Sequence, residues 1–149
     1  MESKPGTYAL VLQSQSNASV QVGRWGRLEI EPGYYVYVGS AFGPGGVSAR
    51  VRRHCRKTKK KHWHIDYLRD TATPLVVWYS HTPIRLEHPW ALALTKMAGT
   101  TPVVGFGCSD CGCDAHLFHT RTEPSLSRFG RAVRGSVRSQ TLGTVVRND

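Results

Sequence analysis

The stretch GYYVYVGSA, Gly33 to Ala41, constrains the fold more than any other part of the chain. Aromatic and β-branched residues of this kind fit a pleated, packed surface and disfavour a helix. Side chains alternate across a strand, so Tyr35, Tyr37 and Gly39 share one face while Tyr34, Val36 and Val38 share the other. Upstream, TYALVLQ (residues 7–13) reads as a second strand. VQVGRWGRLEI (residues 20–30) reads as a strand interrupted by a bend or bulge at Gly23 and Gly26. With SQSNA and EPG as turns, the three segments form an antiparallel meander. Tyr8 lies on the face of Leu10 and Leu12, so Tyr8 and Tyr37 can meet on one side of the sheet.

Beyond FGPGG the period changes. Val47, Val51 and Cys55 recur at i, i+4 and i+8, which predicts a helix ending near Lys57. On a helical wheel Arg50 and His54 fall at the edge of that apolar stripe, and Arg52, Arg53 and Arg56 point away. HWHIDYL fits a helix or an extended segment. PLVVWYS reads as a buried strand. LEHPWALALTKMAG reads as a helix, with Pro89 in its first turn and Gly99 past its end. PVVGFG and HLFHT read as short extended pieces. The order β-β-β-α-β-α plus short extras predicts an α+β domain over residues 1–119, with helices flanking a small, mainly antiparallel sheet. The Arg-, Ser- and Gly-rich remainder, 120–149, reads as a flexible basic tail.

Charge narrows the partners. Lys and Arg number 20 against 10 acids, a net charge of +10 over 149 residues. Such an excess favours a polyanion, with nucleic acid, DNA or RNA, the leading partner and an anionic membrane surface second. Arg52, Arg53, Arg56, Lys57, Lys59, Lys60 and Lys61 form a run suited to phosphate contacts, whose rival reading is a solubility surface. No apolar run approaches the roughly 18 residues of a membrane span. The N-terminus lacks a signal-peptide pattern, so a cytoplasmic location and no membrane partner are expected.

Two further clusters carry chemistry. In HWHID, the residues His62, His64 and Asp66 would share one face of a strand and serve a metal or phosphate site; the alternative is a structural pin in which His64 bonds Asp66 or backbone. Cys108, Cys111, Cys113 and His116 offer half a zinc pattern. Four ligands within nine residues strain tetrahedral geometry, so buried thiols are preferred to a structural Zn²⁺, with Asp110 and His116 as groups beside the site.

Gly6-Thr7-Tyr8 on one strand, Tyr37-Val38-Gly39 on another, and Arg50 with His54 on the following helix resemble the GIY-YIG nuclease superfamily. The longer stretches GYYVYVGSAFGPGGVSARVRRH, KKKHWHIDYL and FGCSDCGCDAHLF resemble its uncharacterised Uri-type branch, over about residues 6 to 119. The resemblance implies metal-dependent phosphodiester cleavage. Tyr8, Tyr37, Arg50, His54 and Glu87 become the catalytic candidates, with Gly39 and Ser40 beside them. Glu87 would hold one divalent cation, Mg²⁺ or Mn²⁺, because it is the only acid between Asp70 and Asp110 and stands at the opening of the second main helix. A Mg²⁺-like ion keeps several waters and needs few protein ligands. Each residue also has a bland reading: strand tyrosines pack, a turn takes a glycine, and a glutamate at a helix start favours the helix dipole. The implied activity is an endonuclease on DNA, single-stranded or structured. The rival is a basic nucleic-acid-binding module on the same fold without catalysis.

Overall fold

A computed structural model of the chain describes residues 1–56, 60–61, 63–106, 115–133 and 135–143. Lys57, Lys59, His62, Cys108, Asp110, Cys111 and Cys113 lie outside the described residues. The main sheet is antiparallel in every pairing, in the order β6-β7-β4-β1-β5-β8. Its strands are β1 (Gly6–Ser14), β4 (Gly33–Ala41), β5 (Thr73–Ser80), β6 (Thr100–Pro102), β7 (Leu117–Thr120) and β8 (Arg138–Thr141). A separate hairpin comprises β2 (Ala18–Val22) and β3 (Gly26–Ile30). The helices are α1 (Gly46–Cys55), α2 (His64–Leu68), α3 (Glu87–Lys96) and α4 (Leu126–Ala132). This is the expected α+β class. Among the described residues, no helix is long and apolar enough to cross a membrane.

β1 is covered on both faces, which explains why its sequence is apolar almost without break. Tyr8, Leu10 and Leu12 pack with Val47 and Val51 of α1, Ile65 and Leu68 of α2, and Val22, Leu28 and Ile30 of the hairpin. Ala9 and Val11 pack on the opposite face with Trp90, Ala91 and Leu94 of α3 and Phe129 of α4. The predicted alternation in β4 holds: Tyr35 and Tyr37 join the first cluster, and Tyr34, Val36 and Val38 the second. The sheet is therefore the middle layer of three.

Three expectations need correction, and one open alternative is settled. The meander does not form: β1 pairs directly with β4, Leu10 opposite Tyr37, and the segment between them folds back on itself as the hairpin. The bend seen in GRWG is that hairpin's turn, closed by Trp25 N–H donating to the Val22 carbonyl at 3.0 Å. The chain also does not turn at Gly39, since β4 runs on to Ala41. HWHIDYL is helical over His64–Leu68, because Asp66 reaches back to accept from the Trp63 amide at 2.9 Å and caps the turn. His64 and Asp66 consequently do not share the face that a strand would give them.

The last correction concerns the tail. Residues 126–132 form α4, capped by Ser125, whose hydroxyl accepts from the Arg128 amide at 3.2 Å. Phe129 is fully buried, stacked on Trp78 with ring centroids 5.0 Å apart and edge-on to Trp90 at 5.1 Å. β8 then adds to the free edge of β5, Val77 opposite Gln140. This basic segment folds because its few apolar residues find a partner surface on the sheet.

Candidate active site

The candidates gather at the end of the sheet where β1 begins and β4 finishes. Tyr8 and Gly39 are directly opposed in the ladder. An ideal Cβ on Gly39 would lie 2.5 Å from Tyr8 Cζ, so glycine is what allows the Tyr8 ring to lie flat across β4. Thr7 points to the other side of the sheet, where its hydroxyl accepts from the Leu86 amide at 3.2 Å and ties the opening of α3 to β1. The Gly-Thr-Tyr and Tyr-Val-Gly segments thus hold each other and one end of α3 in place.

α1 lies over the Tyr8 face. Its Val47 and Val51 are buried, as the stripe predicts, and its first amides are taken by backbone carbonyls upstream of β1: Val47 N–H donates to Lys4 O at 3.0 Å and Ser48 N–H to Glu2 O at 3.2 Å. One turn further, His54 is buried instead of lying at the edge of the stripe. Its Nε2 is 2.7 Å from the Tyr8 hydroxyl. Tyr37 stands beside both, with ring centroids 6.5 Å from Tyr8 and 5.9 Å from His54. Arg50 donates to the Ser40 carbonyl at 3.2 Å and lies 4.3 Å over the Trp63 ring.

Tyr8 is 1% exposed. Burial pushes its hydroxyl well above the ordinary value of 10.0, Tyr37 adds to the rise, Arg50 opposes it through charge and hydrogen bonding, and Glu87 adds a smaller upward push. These influences require proximity. Tyr8, Tyr37 and His54 touch one another on the α1 face of the sheet, Arg50 bears on Tyr8 from the same helix, and Glu87 at the start of α3 lies beyond that contact set.

Glu87 opens α3 with about a quarter of its side chain exposed. His116 stands just before β7, held by mutual backbone pairing: its amide donates to Phe106 O at 3.0 Å and its carbonyl accepts from Val38 N–H at 2.9 Å. Its Nδ1 lies 3.7 Å from Glu87 Oε1. His88 completes a set in which one donor atom from each of Glu87, His88 and His116 lies within 4.8 Å of the others. A part-exposed carboxylate with nitrogen donors beside it suits a divalent cation. His88 is the residue that sequence reasoning missed; its only signal is its place directly after Glu87.

The basic run divides by role. Arg52 and Arg56 are exposed, and Lys60 is exposed beyond the helix. Lys61 pairs with Asp70 at 2.7 Å. Arg53 does not point away. It lies 4.2 Å over Trp63 and forks Asp66, with Nη1 to Oδ1 at 2.9 Å and Nη2 to Oδ2 at 3.1 Å. Asp66 is buried, so this pair clasps α1 to α2. The structural-pin reading of HWHID is thus the right one for Asp66, which Arg53 clasps. His64 packs edge-on to Phe106 at 5.3 Å, and burial lowers its pKa. Arg50, Arg53 and Arg56 line a groove of about 270 Å³ together with Gly43, Pro44 and Ala49.

No curated protein and no solved structure matches the chain. A family model matches residues 7–138, a span that includes both tyrosine segments, all of α1 and α3, and the helix α4. That match covers most of the chain, and the protein belongs to the family described as Domain of unknown function DUF123.

Proposed function

We propose that this protein is a GIY-YIG-type endonuclease that hydrolyses phosphodiester bonds in DNA with one divalent cation. The observation that carries the reading is the buried Tyr8–His54 pair, 2.7 Å apart, with Tyr37 and Arg50 beside it and Glu87 across the sheet end. Hydrolysis requires a water oxygen to attack phosphorus, a proton to leave that water, and the bond to the departing sugar oxygen to break. The raised pKa of Tyr8 keeps it protonated at neutral pH, so Tyr8 alone is a poor base. Joined to His54 it becomes a relay: the phenol oxygen takes the water proton as the phenol proton passes to His54 Nε2. Arg50 presents a planar fork that neutralises two phosphate oxygens as charge builds. Tyr37 lines the path and positions water or phosphate. A cation on Glu87 would supply Lewis acidity at the phosphate and leaving oxygen. The exposed Arg52, Arg56 and Lys60 supply salt-dependent contacts to flanking phosphates. The substrate expected is single-stranded or branched DNA.

The test is incubation of the purified protein with single-stranded, duplex and flap DNA and with RNA, in Mg²⁺ and in Mn²⁺. Cutting of single-stranded or flap DNA is expected, with Arg50→Ala and Glu87→Ala each reducing it by about 100-fold or more. Intact substrates throughout, or unchanged cutting by both variants, would overturn the proposal. One observation favours the rival of a non-catalytic binding module: Tyr8 is almost wholly enclosed. Metal-independent DNA binding that Glu87→Ala leaves unaltered supports that module.

A further inference from the structure

We propose that Glu87, His88 and His116 together chelate a borderline first-row transition-metal ion, of the Co²⁺, Ni²⁺ and Zn²⁺ class, in preference to Mg²⁺. The inference deepens the reading above and rests on Glu87 as the cation ligand. A cation held by one carboxylate and its own waters is bound by charge alone. Here that charge works against a net +10 chain, with Arg50 and Glu87 both close enough to act on the same tyrosine. The carboxylate offsets only half the charge of a dication. Neutral imidazole bonds through a nitrogen lone pair, so its contribution survives in a positive field. Nitrogen donors suit Zn²⁺, Co²⁺ and their neighbours, whereas Mg²⁺ prefers oxygen and gives up its waters reluctantly.

The geometry supports closure on such an ion. The donor atoms lie within 4.8 Å of one another, and His116 and Glu87 are 3.7 Å apart. Donors about 2.1 Å from a shared ion stand roughly 3.4 Å apart around a tetrahedron and about 4.2 Å at most. A pair at the 4.8 Å limit must therefore draw in by about 1.4 Å for a tetrahedral site, or about 0.6 Å for donors on opposite sides of the ion. The members are graded for that movement. His116 is 2% exposed and pinned by its backbone on both sides, Glu87 is half-buried, and His88 is exposed at the start of the helix. One enclosed donor beside two more exposed ones leaves the closing movement to Glu87 and His88. The bland account pairs His116 with Glu87 as ions. It gives no reason for the second imidazole, which sits with its centroid 6.0 Å from the first.

The test uses the full-length protein titrated with Co²⁺ and followed by visible absorption, then competed with Mg²⁺. One equivalent is expected to bind with nitrogen–oxygen bands and without the intense near-ultraviolet sulfur-to-cobalt band that Cys108, Cys111 and Cys113 would give. A roughly hundredfold excess of Mg²⁺ should not displace it. His88→Ala, at an exposed position that leaves the core intact, should weaken Co²⁺ binding by at least about 10-fold, since even residues one step removed from a metal cost 10–100-fold. Displacement by Mg²⁺, a sulfur signature, or unchanged affinity in His88→Ala would overturn the proposal. The two readings fail separately. DNA cutting together with a Co²⁺ affinity that is indifferent to His88→Ala keeps the nuclease and removes the histidine ligands. Tight, His88-dependent Co²⁺ binding with no cutting in any metal keeps the site and removes the nuclease.

Discussion

Substituting Gly39 by alanine tests the packing on which the candidate site stands. Gly39 does not adopt a left-handed conformation, so its backbone accepts any residue, and in an open strand the change would stabilise by about 0.5–1 kcal/mol. The obstacle is Tyr8. The new methyl would lie 2.5 Å from Tyr8 Cζ, where carbon atoms pack at about 3.5–4.0 Å, so the ring must retreat by about 1 Å or more. Tyr8 has nowhere free to go: it is enclosed, and its hydroxyl is held 2.7 Å from His54. Overpacking costs about 1–3 kcal/mol and a buried hydroxyl pulled off its partner costs about 1–3 more, giving about 2–6 kcal/mol in all. Against the ~5–15 kcal/mol of an ordinary domain, that is a large fraction. Urea denaturation of Gly39→Ala alone, Tyr8→Leu alone and the double variant measures it. In the Tyr8→Leu background the alanine should become neutral or stabilising. An equal penalty in both backgrounds, or no penalty in the native one, would refute the argument that Gly39 exists to admit the Tyr8 ring.

Asp66→Ala leaves Arg53 without its carboxylate and the Trp63 amide without its cap, and should cost about 3–5 kcal/mol in a urea titration. Phe129→Ala should cost about 3–5 kcal/mol by the same measurement, because the ring fills the space between Trp78 and Trp90; a change under 1 kcal/mol would mean that α4 is not part of the cooperative fold. The raised pKa of Tyr8 makes a pH prediction. Above its ordinary value of 10.0 the unfolded chain releases this proton before the folded one does. The stabilisation is complete below that pH and is lost as pH rises from there through the folded value. Tyr8→Phe should therefore lose stability less steeply with rising alkalinity, and parallel curves of urea midpoint against pH would contradict the burial argument.

What the sequence revealed was local. The two faces of β4, the Val47–Val51 stripe of α1, and the limits of α3 between Glu87 and Gly99 all follow from spacing and turn chemistry. Meeting of Tyr8 and Tyr37 follows as well, because alternation fixes the face of each once both strands share a sheet. Strand order does not follow, since nothing near β1 in sequence says that it lies between β4 and β5 and not beside the hairpin. The helix at His64–Leu68 is too short for periodicity to separate it from a strand, and the choice falls to the Asp66 cap and its Arg53 partner, a contact across α1. α4 did carry a signal: Leu126, Phe129 and Val133 stand at i, i+3 and i+7 after a Ser cap. The surrounding arginines, serines and glycines hid it. His88 was invisible for a different reason. A histidine becomes a donor by what faces it, and His116 comes from another strand's approach.

The central place of β1 has a consequence for how the molecule is made. It is the first strand of the chain, yet its neighbours are β4 and β5, with Leu10 opposite both Tyr37 and Val77. The hairpin can close early, because its two strands adjoin. β1 must wait for distant segments, and the loop-closure cost of joining them comes before the contacts that repay it. Through that interval TYALVL is an uncharged, apolar, β-prone segment with open edges, the kind that recruits other chains. Any change that delays β5, or that weakens the β8 strand closing its far edge, should therefore appear as aggregation during synthesis before it appears as a lowered melting point.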